Sequence, residues 1–168
     1  MPFAIIDGDK KGGPMIEDLL NEQFVHIDVE CSNKEELLSQ MAKVLIKENY
    51  VKESFEAAII TRENVYPTGL VTKSVPVAIP HTDRNHVNKS VISVATLKQP
   101  VGFKAMGMID EPVDVEMVFM LAIDSNDGQV EMLQKLMGIM VQEELLTALK
   151  ESKDSKKTLE LLRKELAV

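Results

Sequence analysis

The chain has 168 residues, 45% of them hydrophobic and 27% charged, which is enough for one domain with a real core and far from a disordered composition. Its formal net charge of -8 argues against a nucleic-acid partner, because phosphate backbones call for a basic surface. No apolar run approaches the ~20 residues of a membrane span, and a lone Cys31 forms neither an internal disulfide nor a multi-cysteine metal centre.

The first stretch, MPFAIIDGDKKGGP, has no basic segment leading into an apolar one, so no secretory signal is read and a soluble cytoplasmic protein is expected. Residues 1–14 are expected to be an N-terminal extension or a remnant of expression, with the domain proper spanning 15–168. FVHIDVE, residues 24–30, alternates apolar and polar positions as a half-buried strand does. Ser32 followed by Glu35 reads as a capping box, opening a helix with Leu37, Leu38, Met41, Val44 and Leu45 on one face. A second helix is expected over Glu53 to Asn64, with Phe55, Ala58, Ile59 and Val65 facing inward, ending before Pro67-Thr68-Gly69.

VPVAI, residues 75–79, reads as a short strand ended by Pro80, and the β-branched SVISVATL, residues 90–97, as another bounded by Gln99-Pro100. Residues 101–112 contain two glycines and a break at Glu111-Pro112, which suggests a connecting loop or hairpin arm. VDVEMVFMLAID, residues 113–124, becomes almost wholly apolar, as a central strand covered on both faces does. Ser125 to Gly128 form a turn and helix entry before QVEMLQKLMGIMVQ; a shorter helix follows near Glu143 to Lys150, then SKKTLELLRKEL with a cap at or near Ser155. Two strands follow each other directly in the middle of an otherwise alternating order, so the expected fold is α/β: one domain with a mixed sheet flanked by helices. Met117, Met120, Met132, Met137 and Met140 fall at core spacings.

Two of the three histidines lie close together in VAIPHTDRNHV, residues 77–87. Three readings compete. His81, Asp83 and His86 could be metal ligands, although such ligands normally arrive from several elements and no H-E-x-x-H pattern is present. His81 could be a plain strand-end residue. In the third reading it is a nucleophile, since a neutral imidazole attacks well near pH 7. Pro80 presents it on a stiff platform, and Thr82 and Asp83 could cap a following turn whose N–H groups face an anion. His86 has no comparable setting and reads as a solvated loop residue.

The segment TRENVYPTGLVTKSVPVAIPHTD resembles the active-site block of enzyme IIA components of the sugar phosphotransferase system, fructose–mannitol class. The resemblance lies in Arg62-Glu63, Thr68-Gly69 and Ala78-Ile79-Pro80-His81, and it continues from about Met15 through VEMVFMLAI and QVEMLQKL. Pro-His-Thr-Asp together with LKQPVGFKAMG is similar to the galactitol-specific subgroup. The resemblance implies the mannitol/fructose-type enzyme IIA fold and a phosphoryl acceptor at His81. Arg62 would position the phosphoryl oxygens and Thr68 would supply a hydroxyl or fix the loop, with Thr82 and Asp83 in support. Mannitol-type members carry a second histidine where Gln129 is the best match here, and an amide can donate a hydrogen bond but cannot titrate.

The implied activity is that of a phosphotransferase with a phosphohistidine intermediate. It would accept phosphate from the phosphocarrier protein HPr and pass it to a cysteine of a cognate enzyme IIB. That transfer would feed uptake of a polyol or sugar, galactitol by subgroup, through the membrane IIC, with no cofactor or metal in this domain and no membrane insertion of its own. The acidic charge would suit a basic patch on the donor, and Phe103, Met106 and Met108 would lie either in a docking face or in the core. The alternatives are a regulatory protein of the nitrogen-system enzyme IIA kind, phosphorylated on the same histidine but acting by protein binding, and a metal-dependent hydrolase.

Overall fold

In the computed structural model, which describes residues 19–166, the elements run in the order expected of an α/β chain. They are β1 (Val25–Val29), α1 (Lys34–Lys47), α2 (Ser54–Val65), β2 (Gly69–Leu70) and β3 (Val77–Ala78). Then come β4 (Val91–Ala105), β5 (Met108–Ala122), α3 (Asn126–Met140), α4 (Glu143–Glu151) and α5 (Ser155–Leu166). Residues 1–14 lie outside the described residues, as do 15–18 where the domain was expected to begin. Among the described residues no helix is long and apolar enough to cross a membrane.

The sheet is mixed, in the order β1-β4-β2-β3-β5, with β4 and β5 also paired directly. β1 and β2 run parallel to β4, β3 runs parallel to β5, and β2–β3 and β4–β5 are antiparallel. The β4–β5 pair is one long hairpin, from Val91 opposite Ala122 to Ala105 opposite Met108, turned at Met106-Gly107 with Gly107 at φ 78°. Its length corrects the expected boundaries at Gln99-Pro100 and Glu111-Pro112, since both prolines lie inside strands. A register shift between Thr96 and Val101 surrounds Pro100, and another follows Lys104, the partner of Pro112. At such irregularities a missing N–H interrupts no regular ladder.

Helices cover both faces. Val118, Met120 and Ala122 pack with Leu37, Leu38, Met41, Phe55 and Ile59 of α1 and α2. The alternate residues Met117, Phe119 and Leu121 pack with Met132, Leu136, Leu146, Leu149 and Leu162 of α3 to α5. This period-two division is why the strand reads as continuously apolar. Of the methionines expected inside, Met117, Met120, Met132 and Met140 are buried, whereas Met137 is 42% exposed. Val65 also faces outward, at the last residue of α2.

The caps differ from expectation by one residue in α1. Asn33, not Ser32, accepts the Glu36 N–H, and Glu36 reaches back to the Ser32 N–H, while Glu35 pairs with Lys34. Ser125 caps α3 by accepting from Gly128 N–H, so that helix starts at Asn126. The Asp154 carboxylate accepts from Lys156 N–H at the start of α5.

Candidate functional site

His81 leaves the end of β3, where the chain is still tied to the sheet. The Pro80 carbonyl accepts the Leu121 N–H at 3.0 Å, fixing the residue just before the imidazole. The ring Nδ1 lies 2.8 Å from the Ile79 carbonyl oxygen, which can only accept, so Nδ1 carries the proton and Nε2 keeps its lone pair. Burial holds the imidazole below its ordinary pKa, and the nearby Arg62 charge pushes the same way against the Ile79 hydrogen bond. The ring is therefore neutral at neutral pH, with the proton on Nδ1 and a lone pair on Nε2.

Arg62 comes from the last turn of α2. Its guanidinium is 4.9 Å from the Tyr66 ring centroid and its Nη1 3.7 Å from Asp83 Oδ1, so the planar fork rests between an aromatic face and a carboxylate. Tyr66 is held in turn by donating its N–H to the Arg62 carbonyl at 2.7 Å. Asp83 precedes the 3-10 turn Arg84–His86, but its side chain makes no capping hydrogen bond there and is paired with Arg62 instead. Thr82 is buried between His81 and Asp83.

Thr68 fixes the loop. Its N–H donates to Glu63 Oε2 at 2.7 Å and its hydroxyl donates to Glu63 Oε1 at 2.9 Å, while Thr68 Oγ1 accepts the Ile79 N–H at 3.1 Å. Glu63 is only 2% exposed. Burial pushes its carboxyl up to about 7, against the pull of the two Thr68 hydrogen bonds. The next residue has to be glycine: a Cβ on Gly69 would lie 2.6 Å from the Lys104 carbonyl oxygen. That close approach lets β2 pair with the end of β4 and carries Thr68 to Ile79.

Sequence reading used Glu63 only as half of the Arg62-Glu63 pair and assigned it no place in the site. The signal was present, because Phe55, Ile59 and Glu63 follow at four-residue intervals and all three are buried on one stripe of α2. A carboxylate on an apolar stripe needs dedicated donors, and Thr68 supplies them.

Gln129 lies in the first turns of α3, reached from the end of β5, where Pro80 is also anchored. Its backbone N–H donates to the Ser125 carbonyl, and its side-chain Oε1 is buried with no hydrogen-bond partner among the described residues. His86 departs from the solvated-loop reading. Its Nδ1 is 2.7 Å from Ser54 Oγ and its carbonyl accepts from Lys52 N–H, so it ties the 3-10 turn to the start of α2. Among the described residues no group of three His, Cys, Asp or Glu is placed to hold a metal ion, so His81, Asp83 and His86 do not form the cluster their spacing allowed. Of Phe103, Met106 and Met108, Phe103 of β4 is in the core and the two methionines are exposed at the hairpin turn.

Comparisons with known proteins agree on what this arrangement is similar to. The chain is 25% identical over 126 residues to the galactitol-specific EIIA component of Escherichia coli, covering 75% of this chain and 83% of that one. It is 29% identical over 155 residues to multiphosphoryl transfer protein 1 of Escherichia coli, covering 90% of this chain but only 18% of that much longer protein. The fold matches a complex of enzyme IIA for mannitol with phosphorylated enzyme IIB from Escherichia coli, at a TM-score of 0.68 and 19% identity, over 89% of this chain and 99% of that one. Residues 18–165 match the family described as "Phosphoenolpyruvate-dependent sugar phosphotransferase system, EIIA 2". A match over that much of the sequence places the chain in the EIIA 2 family of the phosphoenolpyruvate-dependent sugar phosphotransferase system.

Proposed function

We propose that the chain is a cytoplasmic phosphoryl carrier that takes phosphate from phospho-HPr onto His81 Nε2 and passes it to a cysteine of a cognate enzyme IIB. The observation that carries this reading is the Nδ1 contact to Ile79, because it leaves one ring nitrogen protonated and the other available as a lone pair. In the first step the Nε2 lone pair forms a bond to phosphorus while the donor's nitrogen–phosphorus bond breaks, in line. The donor nitrogen leaves with the electron pair, and the proton stays on His81 Nδ1, hydrogen-bonded to the Ile79 carbonyl. In the second step a thiolate of the IIB partner forms the sulfur–phosphorus bond as the His81 nitrogen–phosphorus bond breaks, which returns a neutral imidazole.

Arg62 offers its fork to the charge spread over the phosphoryl oxygens, and the Gln129 amide adds an N–H donor from α3. Thr82 and Asp83 hold the chain beside the ring, Asp83 by keeping Arg62 in place. The sugar chemistry belongs to IIB and the membrane IIC. Similarity to the galactitol-specific component supports a galactitol system.

The test is incubation with phosphoenolpyruvate, enzyme I and HPr, followed by a search for acid-labile phosphate on the chain. The wild-type protein is expected to be labelled and His81→Ala to be folded but unlabelled. Labelling of His81→Ala would overturn the assignment. Transfer onward to purified galactitol enzyme IIB, compared with other IIB proteins, tests the partner.

A further inference from the structure

We propose that Glu63 is a positioning residue for His81: through Thr68 and Ile79 it fixes which ring nitrogen is presented to phosphorus. The inference rests on the reading of His81 as phosphoryl acceptor.

Three links run in one direction. His81 Nδ1–H donates to the Ile79 carbonyl at 2.8 Å, the Ile79 N–H donates to Thr68 Oγ1 at 3.1 Å, and the Thr68 hydroxyl donates to Glu63 Oε1 at 2.9 Å. Both Glu63 oxygens accept from Thr68, and above about pH 7, where the carboxyl is ionised and can only accept, Glu63 dictates the sense of the chain. The Thr68 proton is committed to Glu63, which leaves the Thr68 lone pairs for Ile79. With its N–H held by Thr68 and its carbonyl held by the ring, residue 79 cannot rotate without breaking both contacts. The transmission is through the orientation of that one residue, since its N–H and its carbonyl belong to different peptide units. A second Glu63 bond, to Thr68 N–H at 2.7 Å, stops the threonine itself from turning.

The position is costly for a carboxyl group. An apolar side chain there would continue the stripe of Phe55 and Ile59 with no desolvation penalty. What an apolar residue could not do is tell the Thr68 hydroxyl which way to point.

Two variants test this, Glu63→Gln and Thr68→Val, each close in shape to the residue it replaces. Thermal unfolding and the backbone amide spectrum check folding, 15N NMR of the His81 ring reports the tautomer, and the rate of transfer from phospho-HPr is measured over a range of donor concentration. In the wild type the Nδ1–H tautomer is expected to dominate. In both folded variants a mixture of tautomers is expected, with kcat lower by about tenfold or more and KM changed less than about twofold.

Native tautomer populations in both variants would overturn the proposal, and so would a slower transfer with the tautomer unmoved, which would mark Glu63 as merely structural. If Glu63→Gln does not fold, Thr68→Val carries the test alone, because it leaves the carboxylate in place and removes the hydroxyl link, while the weaker bond from the Ile79 N–H to the backbone carbonyl of residue 68, at 3.3 Å, remains. Failure of the wild type to take phosphate would sink the reading of His81 as acceptor, while the tautomer measurement would still decide the role of Glu63.

Discussion

His81 Nδ1 lies 2.8 Å from the carbonyl of Ile79, only two residues back in the chain, so the backbone that delivers the ring also sets its protonation pattern. His86 uses the same ring atom differently, at 2.7 Å from Ser54 Oγ, and its work is to tie a turn to a helix. The two histidines should therefore separate cleanly. His86→Ala is expected to lose about 0.5–1.5 kcal/mol in urea unfolding, the net value of one such hydrogen bond. It should still be phosphorylated at the wild-type rate. A large loss of labelling in a folded His86→Ala protein would return it to the site.

Arg62 is held by its shape as well as its charge, between Tyr66 and Asp83. Lysine keeps the charge but has neither the fork nor the flat face. Arg62→Lys is expected to slow transfer from phospho-HPr by roughly 10–100-fold, less than the roughly 100–1,000-fold cost of removing a transition-state donor outright, because the charge is kept. Its unfolding free energy should change by less than about 1 kcal/mol, because both partners of the Arg62–Asp83 pair are solvent-accessible. Stopped-flow transfer and urea unfolding measure the two effects separately.

Gln129 predicts the opposite balance. Its Oε1 is buried without a hydrogen-bond partner among the described residues, a cost that an apolar side chain of similar size removes. Gln129→Leu should be as stable as the wild type, or more stable by up to about 1 kcal/mol. It should also transfer phosphate more slowly, having lost the amide donor. A variant that is both destabilised and fully active would place Gln129 outside the site.

The part of the candidate site that lies along the chain was legible in the sequence as a local arrangement. Ala78-Ile79-Pro80-His81 announces a strand that stops at a histidine, and Arg62 and Thr68 flank the break before it. What depends on tertiary pairing was not legible. Pro100 and Pro112 look like strand boundaries because proline removes a ladder donor, yet the register shifts in β4–β5 accommodate both. Glu63 was passed over because charge in a helix is usually solvated, and its donors at Thr68 come from beyond the helix end. His86 looked solvated because Ser54, its partner, is far off in sequence.

Gly69 is where the fold and the site share one constraint. A Cβ there would meet the Lys104 carbonyl oxygen at 2.6 Å and the Val113 Cβ at 3.2 Å. The first of these is backbone inside β4 and cannot move aside as a flexible side chain could. Gly69→Ala is expected to destabilise the protein by about 1–3 kcal/mol, as overpacking does. Because Thr68 moves with it, transfer should also slow in the fraction that remains folded. Urea unfolding of Gly69→Ala beside Gly102→Ala checks this, since a Cβ on Gly102 meets nothing within 4 Å.

The pH dependence of stability gives the sharpest test of the buried carboxyl. Glu63 is pushed from the ordinary 4.5 up to about 7 by burial, and of the charged groups around it the Lys34 ammonium on α1 pulls the other way, as do the Thr68 hydrogen bonds. Between about pH 4.5 and 7 the folded protein therefore holds a proton at Glu63 that the unfolded chain has lost. When the folded state binds more protons, stability falls as pH rises. The favourable contribution is complete below the unfolded value and is gone above the folded one, a change on the order of 3 kcal/mol from the size of the shift. His81 acts in the opposite sense, because its lowered value makes the folded state gain stability as pH rises toward 6.5. Comparing wild type with Glu63→Gln in a His81→Ala background isolates the first effect, because the imidazole is then absent from both proteins. In that background the stability of the protein with Glu63 relative to Glu63→Gln should decline across pH 4.5–7 and level off above. A difference that is flat across that window, or that grows with pH, would mean that Glu63 is ionised in the folded protein well below neutrality and that Thr68 is a stronger partner than its burial allows.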